Sequence, residues 1–152
     1  MPRLPLPRWL RRLTGWLLRR GRKRDPRHEL GQRGEKAAAH FLRRQGYKVL
    51  FRNFRAPHGG EVDITCRHGD TLVFEEVKTR TVSADATRRP ADAVNHAKRK
   101  LITRGARAWL RMLDDHEIAY RFDIVEVSVA PGKKPTCNVI QSAFTLPGRF
   151  LY

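Results

Sequence analysis

The chain has 152 residues, 40% of them hydrophobic, which suits one domain with a buried core; 32 Lys+Arg against 15 Asp+Glu give a formal charge of +17 and a pI near 11.2. That balance favours polyanionic partners, nucleic acid first and an anionic membrane surface second, and names no reaction. Cys66 and Cys137 match neither a zinc spacing nor a disulfide framework, which fits reduced core residues of a cytoplasmic protein, and no apolar run is long enough to span a bilayer.

Residues 1–27 carry ten Lys/Arg with Asp25 as their one acid, so they read as a basic extension ahead of a domain over 28–152 that is still basic. Within it Trp9, Leu10, Leu13, Trp16 and Leu17 recur at helical spacing among arginines. An amphipathic helix lying on a membrane or on phosphates, a mobile basic tail and an organellar transit peptide all fit those residues.

From Glu29 a helix runs to Gly46, with Gly31, Gly34, Ala38, Phe41, Leu42 and Gln45 on one side and Glu35 beside that stripe. A first strand over Tyr47–Phe54 and a loop with Pro57 and paired glycines follow. Glu61–Cys66 and Thr71–Arg80 form an antiparallel hairpin; a tight turn centred on Gly69 and Asp70 sets Asp63 opposite Glu76, and a slip of one residue would bring Glu75 round instead. A polar loop ends at Pro90 and a second helix runs over 91–113, with Val94, Ala97, Leu101, Ala108 and Met112 as its buried side and Lys98 at the edge. Strands over Glu117–Val129 and Thr136–Phe144 complete the order α-β-β-β-α-β-β, an α/β fold with a mixed central sheet flanked by helices.

The stretch LVFEEVKTR, Leu72 to Arg80, fits neither a strand covered on both faces nor one that alternates cleanly. By alternation Glu76 and Lys78 share one face and Glu75 lies on the other with Val73 and Val77. Facing acids such as Asp63 and Glu76 repel. A divalent cation held by one or two carboxylates, waters and phosphate oxygens would compensate them, which suits phosphodiester hydrolysis. Lys78 could hold or deprotonate the attacking water or stabilise developing negative charge; Glu35 could complete the ligand set or be a rim glutamate paired with an arginine.

A carboxylate ending one strand followed by Glu-x-Lys on the next, here Asp63 with Glu76-Val77-Lys78, resembles the PD-(D/E)xK motif of the restriction-endonuclease-like fold. With GQRGEKAAAHFLRRQGYKVLFRNFR, GGEVDI, VFEEVKTR, YRFDIVEV and QSAF in that order, residues 28–152 resemble the YraN family of predicted endonucleases, which are similar to archaeal Holliday-junction resolvases. The resemblance implies a restriction-endonuclease-like core and a Mg²⁺- or Mn²⁺-dependent endonuclease acting on DNA, branched or structured DNA included. Glu35, Asp63, Glu76 and Lys78 stand at the site positions, with Glu35, Asp63 and Glu76 toward the metal. Resolvases act as dimers to cut two strands symmetrically, so a homodimer is implied, although no interface signature is present. At position 75 the family has an apolar residue; Glu75 departs from it.

Arg80, Arg88, Arg89 and Lys98 are candidates to grip the phosphate backbone, against the alternative of solvated surface cations. His58, His68 and His96 do not converge by spacing, and Trp109 and Tyr47 read as core. Two other readings compete: a non-catalytic nucleic-acid-binding module of the same fold, and a peripheral membrane protein driven by the leader.

Overall fold

The computed structural model describes residues 25–82, 95–113 and 118–145. Chain order is α1 (Pro26–Arg44), β1 (Lys48–Arg55), β2 (Glu61–His68), β3 (Thr71–Thr81), α2 (His96–Leu113), β4 (Tyr120–Val129) and β5 (Thr136–Phe144), the order the sequence predicts. Arg88, Arg89, Pro90, Val94 and the leader's apolar residues lie outside the described residues.

Helix α1 begins at Pro26 rather than Glu29. The Asp25 side chain accepts from Arg27 N–H at 2.9 Å, and Pro26 at the first helical position loses no hydrogen bond. At the other end Gly46 takes φ 87, and Tyr47 N–H and Gly46 N–H return to the Leu42 and Arg43 carbonyls at 3.0 and 3.2 Å, closing the last turn.

The five strands lie in the order β1-β2-β3-β4-β5. β3 and β4 run parallel and every other neighbour pair is antiparallel. Only the β3–β4 link is a crossover, and it carries α2, as a parallel connection requires. The hairpin holds its expected register from His68↔Thr71 to Ile64↔Glu75, with Gly69 at φ 59 in the turn.

The sheet is covered on both faces. On one, Ala38, Ala39 and Leu42 of α1 pack on Ile64, Cys66, Val73, Val125 and Val127. On the other, Ile102, Ala106, Trp109 and Leu110 of α2 pack on Phe54, Val62, Phe74, Phe122 and Ile124. Fully burying a side chain of this size contributes about 1.5–3 kcal/mol, so these two layers supply most of the drive to fold. Both cysteines are free, Cys66 buried and Cys137 half-buried.

Two helix faces differ from expectation. Gly34 lies so near β3 that a Cβ there would sit 1.7 Å from Thr79 Oγ1, whereas Gly31 has nothing near it. On α2 the buried line is Ile102, Gly105, Ala106, Trp109 and Leu110; Ala97 is exposed, and Leu101, Ala108 and Met112 are half-buried. The stripe turns because α2 leans on β2 through glycines: a Cβ on Gly60 would lie 2.6 Å from Gly105 N. A glycine at the contact line carries no apolar signal for periodicity to follow. Among the described residues, no helix is long and apolar enough to cross a membrane.

Candidate active site

Alternation along β3 separates the adjacent glutamates. Phe74 faces α2 while Val73 and Val77 face α1, so Glu76 and Lys78 share the α2 face and Glu75 the α1 face. The two glutamates are buried, Glu76 at 2% and Glu75 at 0% exposure, and Lys78 is half-buried, its side chain at 23%. Glu75 therefore takes no part in the Glu76 group by direct contact.

The β2–β3 ladder stops at Ile64↔Glu75, one pair before Asp63 and Glu76 would meet. There the Asp63 carboxylate accepts Val77 N–H at 2.8 Å, a side chain replacing the backbone acceptor. Asp63 is near enough to both Glu35 and Glu76 to raise the pKa of each. It stands between the two faces, with Glu35 arriving on α1 and Glu76 pointing toward α2. Glu35 is half-buried, and its carboxyl is raised by burial and by Asp63, while a hydrogen bond from Asn53 works against the rise. Asn53 adopts φ 56, a left-handed conformation that asparagine tolerates better than most residues.

Glu76 is held by two cations. Lys78 Nζ lies 2.9 Å from Oε1 and Lys98 Nζ, from the first turn of α2, 3.3 Å from Oε2. Burial and the nearby Asp63 nevertheless push its carboxyl up to about 7, with both lysines opposing. Its Oε2 is buried and accepts no hydrogen bond; the Lys98 contact is an ion pair without hydrogen-bond alignment. Lys98 instead donates to Glu61 Oε1. Burial works to lower the Lys98 pKa, but Glu61, Glu76 and Asp63 together raise it. Glu61 is lowered, chiefly by the Lys98 hydrogen bond, and Arg55 lies 3.6 Å away.

Of the predicted residues, Asp63 is thus felt by both Glu35 and Glu76, and Lys78 and Lys98 each pair with one oxygen of Glu76. Among the described residues, no three carboxylate, imidazole or thiol groups are near enough to hold one ion jointly. What suits Mg²⁺ is a pair: a buried Glu76 oxygen lacking a hydrogen bond, next to Asp63, with substrate oxygens and water to complete the shell.

Arg80 shares the Lys78 face and its Nε donates to Ser128 Oγ at 3.2 Å across β3–β4. Lys98, expected on phosphate, is engaged with Glu61 and Glu76. His58 is exposed in the β1–β2 loop. Glu61 was not singled out by the sequence reading; its signal lay in the preceding Gly60, whose close approach to α2 brings Glu61 to Lys98. Also unforeseen is a polar group on the α1 face. Arg121 Nε donates to both Asp123 oxygens at 2.9 and 3.0 Å, and its Nη2 reaches both Tyr47 Oη and His68 Nδ1.

The relatives match this chain over most of their own length. The profile of the family described as "Uncharacterised protein family UPF0102" matches residues 34–127, which hold Glu35, Glu61, Asp63, Glu76, Lys78 and Lys98. A UPF0102 protein of Nitratidesulfovibrio vulgaris is 47% identical over 123 residues, covering 80% of this chain and 88% of the relative. A UPF0102 protein of Symbiobacterium thermophilum is 41% identical over 115 residues, 76% of this chain and 95% of the relative. One from Koribacter versatilis is 43% identical over 126 residues, 82% and 85% of the two chains. With more than half of its length matched by the profile and relatives 41–47% identical along more than three quarters of it, the chain belongs to the UPF0102 (YraN) family.

Proposed function

We propose that the chain is a Mg²⁺-dependent endonuclease that hydrolyses phosphodiester bonds in DNA, branched or structured DNA included. The observation that carries this reading is the buried Glu76: a carboxylate at 2% exposure, beside Asp63, with an oxygen that accepts no hydrogen bond and Lys78 on the other. Lys78 and Lys98 offset the cost of keeping that carboxyl charged only in part, since burial and Asp63 outweigh them, and a divalent cation would offset it further. Asp63 and Glu76 would hold the metal and Glu35 would orient water beside Asp63. Mg²⁺, when bound, polarises the phosphoryl group and lowers the pKa of water.

Lys78 is tethered to Glu76 and points along the same face, where it can hold the attacking water, accept its proton when neutral, or stabilise the charged phosphorane oxygens. Arg80, two residues on along the same face, would take a phosphate oxygen beside the scissile one. The test is cleavage of supercoiled plasmid, single-stranded DNA and four-way junctions with Mg²⁺ or Mn²⁺. We expect cleavage that falls roughly 10²–10⁴-fold in Lys78→Ala. Activity no greater than that of a Glu76→Ala control overturns the reading.

A second reading has its own support, since two lysines already neutralise Glu76 without metal. In it the chain is a non-catalytic nucleic-acid-binding module, whose affinity would ignore Mg²⁺ and be unchanged in Asp63→Asn.

A further inference from the structure

The ammonium of Lys98 faces Glu61, Glu76 and Asp63, all three of which raise its pKa. On the Glu76 and Asp63 side it supplies the positive charge that a divalent ion held by that pair would bring. Its backbone is fixed: Lys98 N–H donates to Asn95 Oδ1 at 2.9 Å, which caps α2, and Gly105, two turns on, seats the helix against Glu61 and Val62. The side chain is less constrained. It is ion-paired to Glu76 Oε2 at 3.3 Å without a hydrogen bond there, and hydrogen-bonded to Glu61 at the more exposed rim. Lys78 has the other Glu76 oxygen at 2.9 Å and is carried on the strand itself.

We infer that Lys98 is the resident counter-ion of the metal position: it neutralises Glu76 and Asp63 in the metal-free protein and yields Glu76 Oε2 when a divalent cation binds. Glu61 then keeps the displaced ammonium at the rim, where its flexible stem can reach a phosphate oxygen. The inference rests on the nuclease reading for its use and on these contacts for its substance. It gives Glu61 a role as the holder of Lys98 rather than as a third ligand. It also accounts for buried acids that stay compatible with a stable fold before any ion arrives, since unpaired buried charge would be strongly destabilising.

The experiment is titration of the full chain with MnCl₂ by calorimetry, for the wild type, Lys98→Met and Lys98→Arg. Met keeps most of the stem and removes the charge. Lys98→Met should bind Mn²⁺ about tenfold more tightly and Lys98→Arg about as the wild type. Equal or weaker binding by a Lys98→Met protein that melts cooperatively overturns the inference, as does absence of binding to every form. If Lys98→Met does not fold, side-chain ammonium NMR of the wild type decides: saturating Mg²⁺ should move the Lys98 signal, assigned by its loss in Lys98→Arg, and an unmoved signal overturns the inference. Tightened Mn²⁺ binding without any DNA cleavage would keep the counter-ion and discard the nuclease; cleavage with unaltered affinity would do the reverse.

Discussion

Glu75 and Glu76 differ by one position and by everything around them. Glu76 meets Lys78 and Lys98, whereas both Glu75 oxygens are buried on the α1 face without a hydrogen-bond partner. Burial first, then Asp123, pushes Glu75 up to about 8, with Arg121 opposing. Tyr47 and Cys66 also feel its charge, while α1 presents apolar Ala38 and Leu42 to this cluster. Well below 4.5, its ordinary value, Glu75 is protonated folded or unfolded. As pH rises from there toward 8 the unfolded chain ionises and the folded one resists, so stability is lost across that window. The slope is at most about 1.4 kcal/mol per pH unit. Urea midpoints measured from pH 5 to 8 should therefore fall for the wild type and fall less steeply in Glu75→Gln, where Glu76 and Glu35 still titrate; parallel curves would contradict this account. Periodicity assigned the two glutamates to opposite faces, but only the tertiary packing, burial beneath α1 with Asp123 across the sheet, makes Glu75 a proton-holding group against the pull of Arg121.

At the scale of elements, two glycines set how closely the helices lie. Gly34→Ala would bring a Cβ to 1.7 Å from Thr79 Oγ1 and 2.7 Å from its Cβ, so α1 must lift from β3. Gly105→Ala would meet Val62 Cγ2 at 2.9 Å and Glu61 backbone at 3.0 Å, so α2 must tilt away from the residue that holds Lys98. Alanine favours a helix over glycine by about 1 kcal/mol, yet overpacking costs about 1–3 kcal/mol, so both variants should lose stability in chemical denaturation. A gain in either would mean that the contact relaxes freely. The hairpin register was legible because Gly69 and Asp70 mark the turn and one slipped residue would invert every buried side chain. The α2 face was not legible, because Gly60 and Gly105 select it and neither adds to an apolar pattern.

For the whole molecule the excess of Lys and Arg, +17 in all, should make nucleic-acid binding fall steeply with salt. If six to ten phosphates are contacted, affinity should drop by about 10³–10⁵ between 50 and 200 mM salt, and Arg80→Ala should lessen the log–log slope by about 1. A flat salt profile in a filter-binding or anisotropy titration would remove phosphate contacts from the account. The sequence by itself determined the element order, the hairpin and the strand that carries Glu76 and Lys78, because these follow from local periodicity and turn chemistry that any 10-residue window contains. Only the tertiary structure decided that Asp63 stands between Glu35 and Glu76, that Lys98 and Glu61 belong to the same group, and that Arg121 neutralises Asp123 beside Glu75. Each of those depends on which residues distant in sequence a helix or strand is laid against, and on water being excluded between them, so no local pattern encodes it.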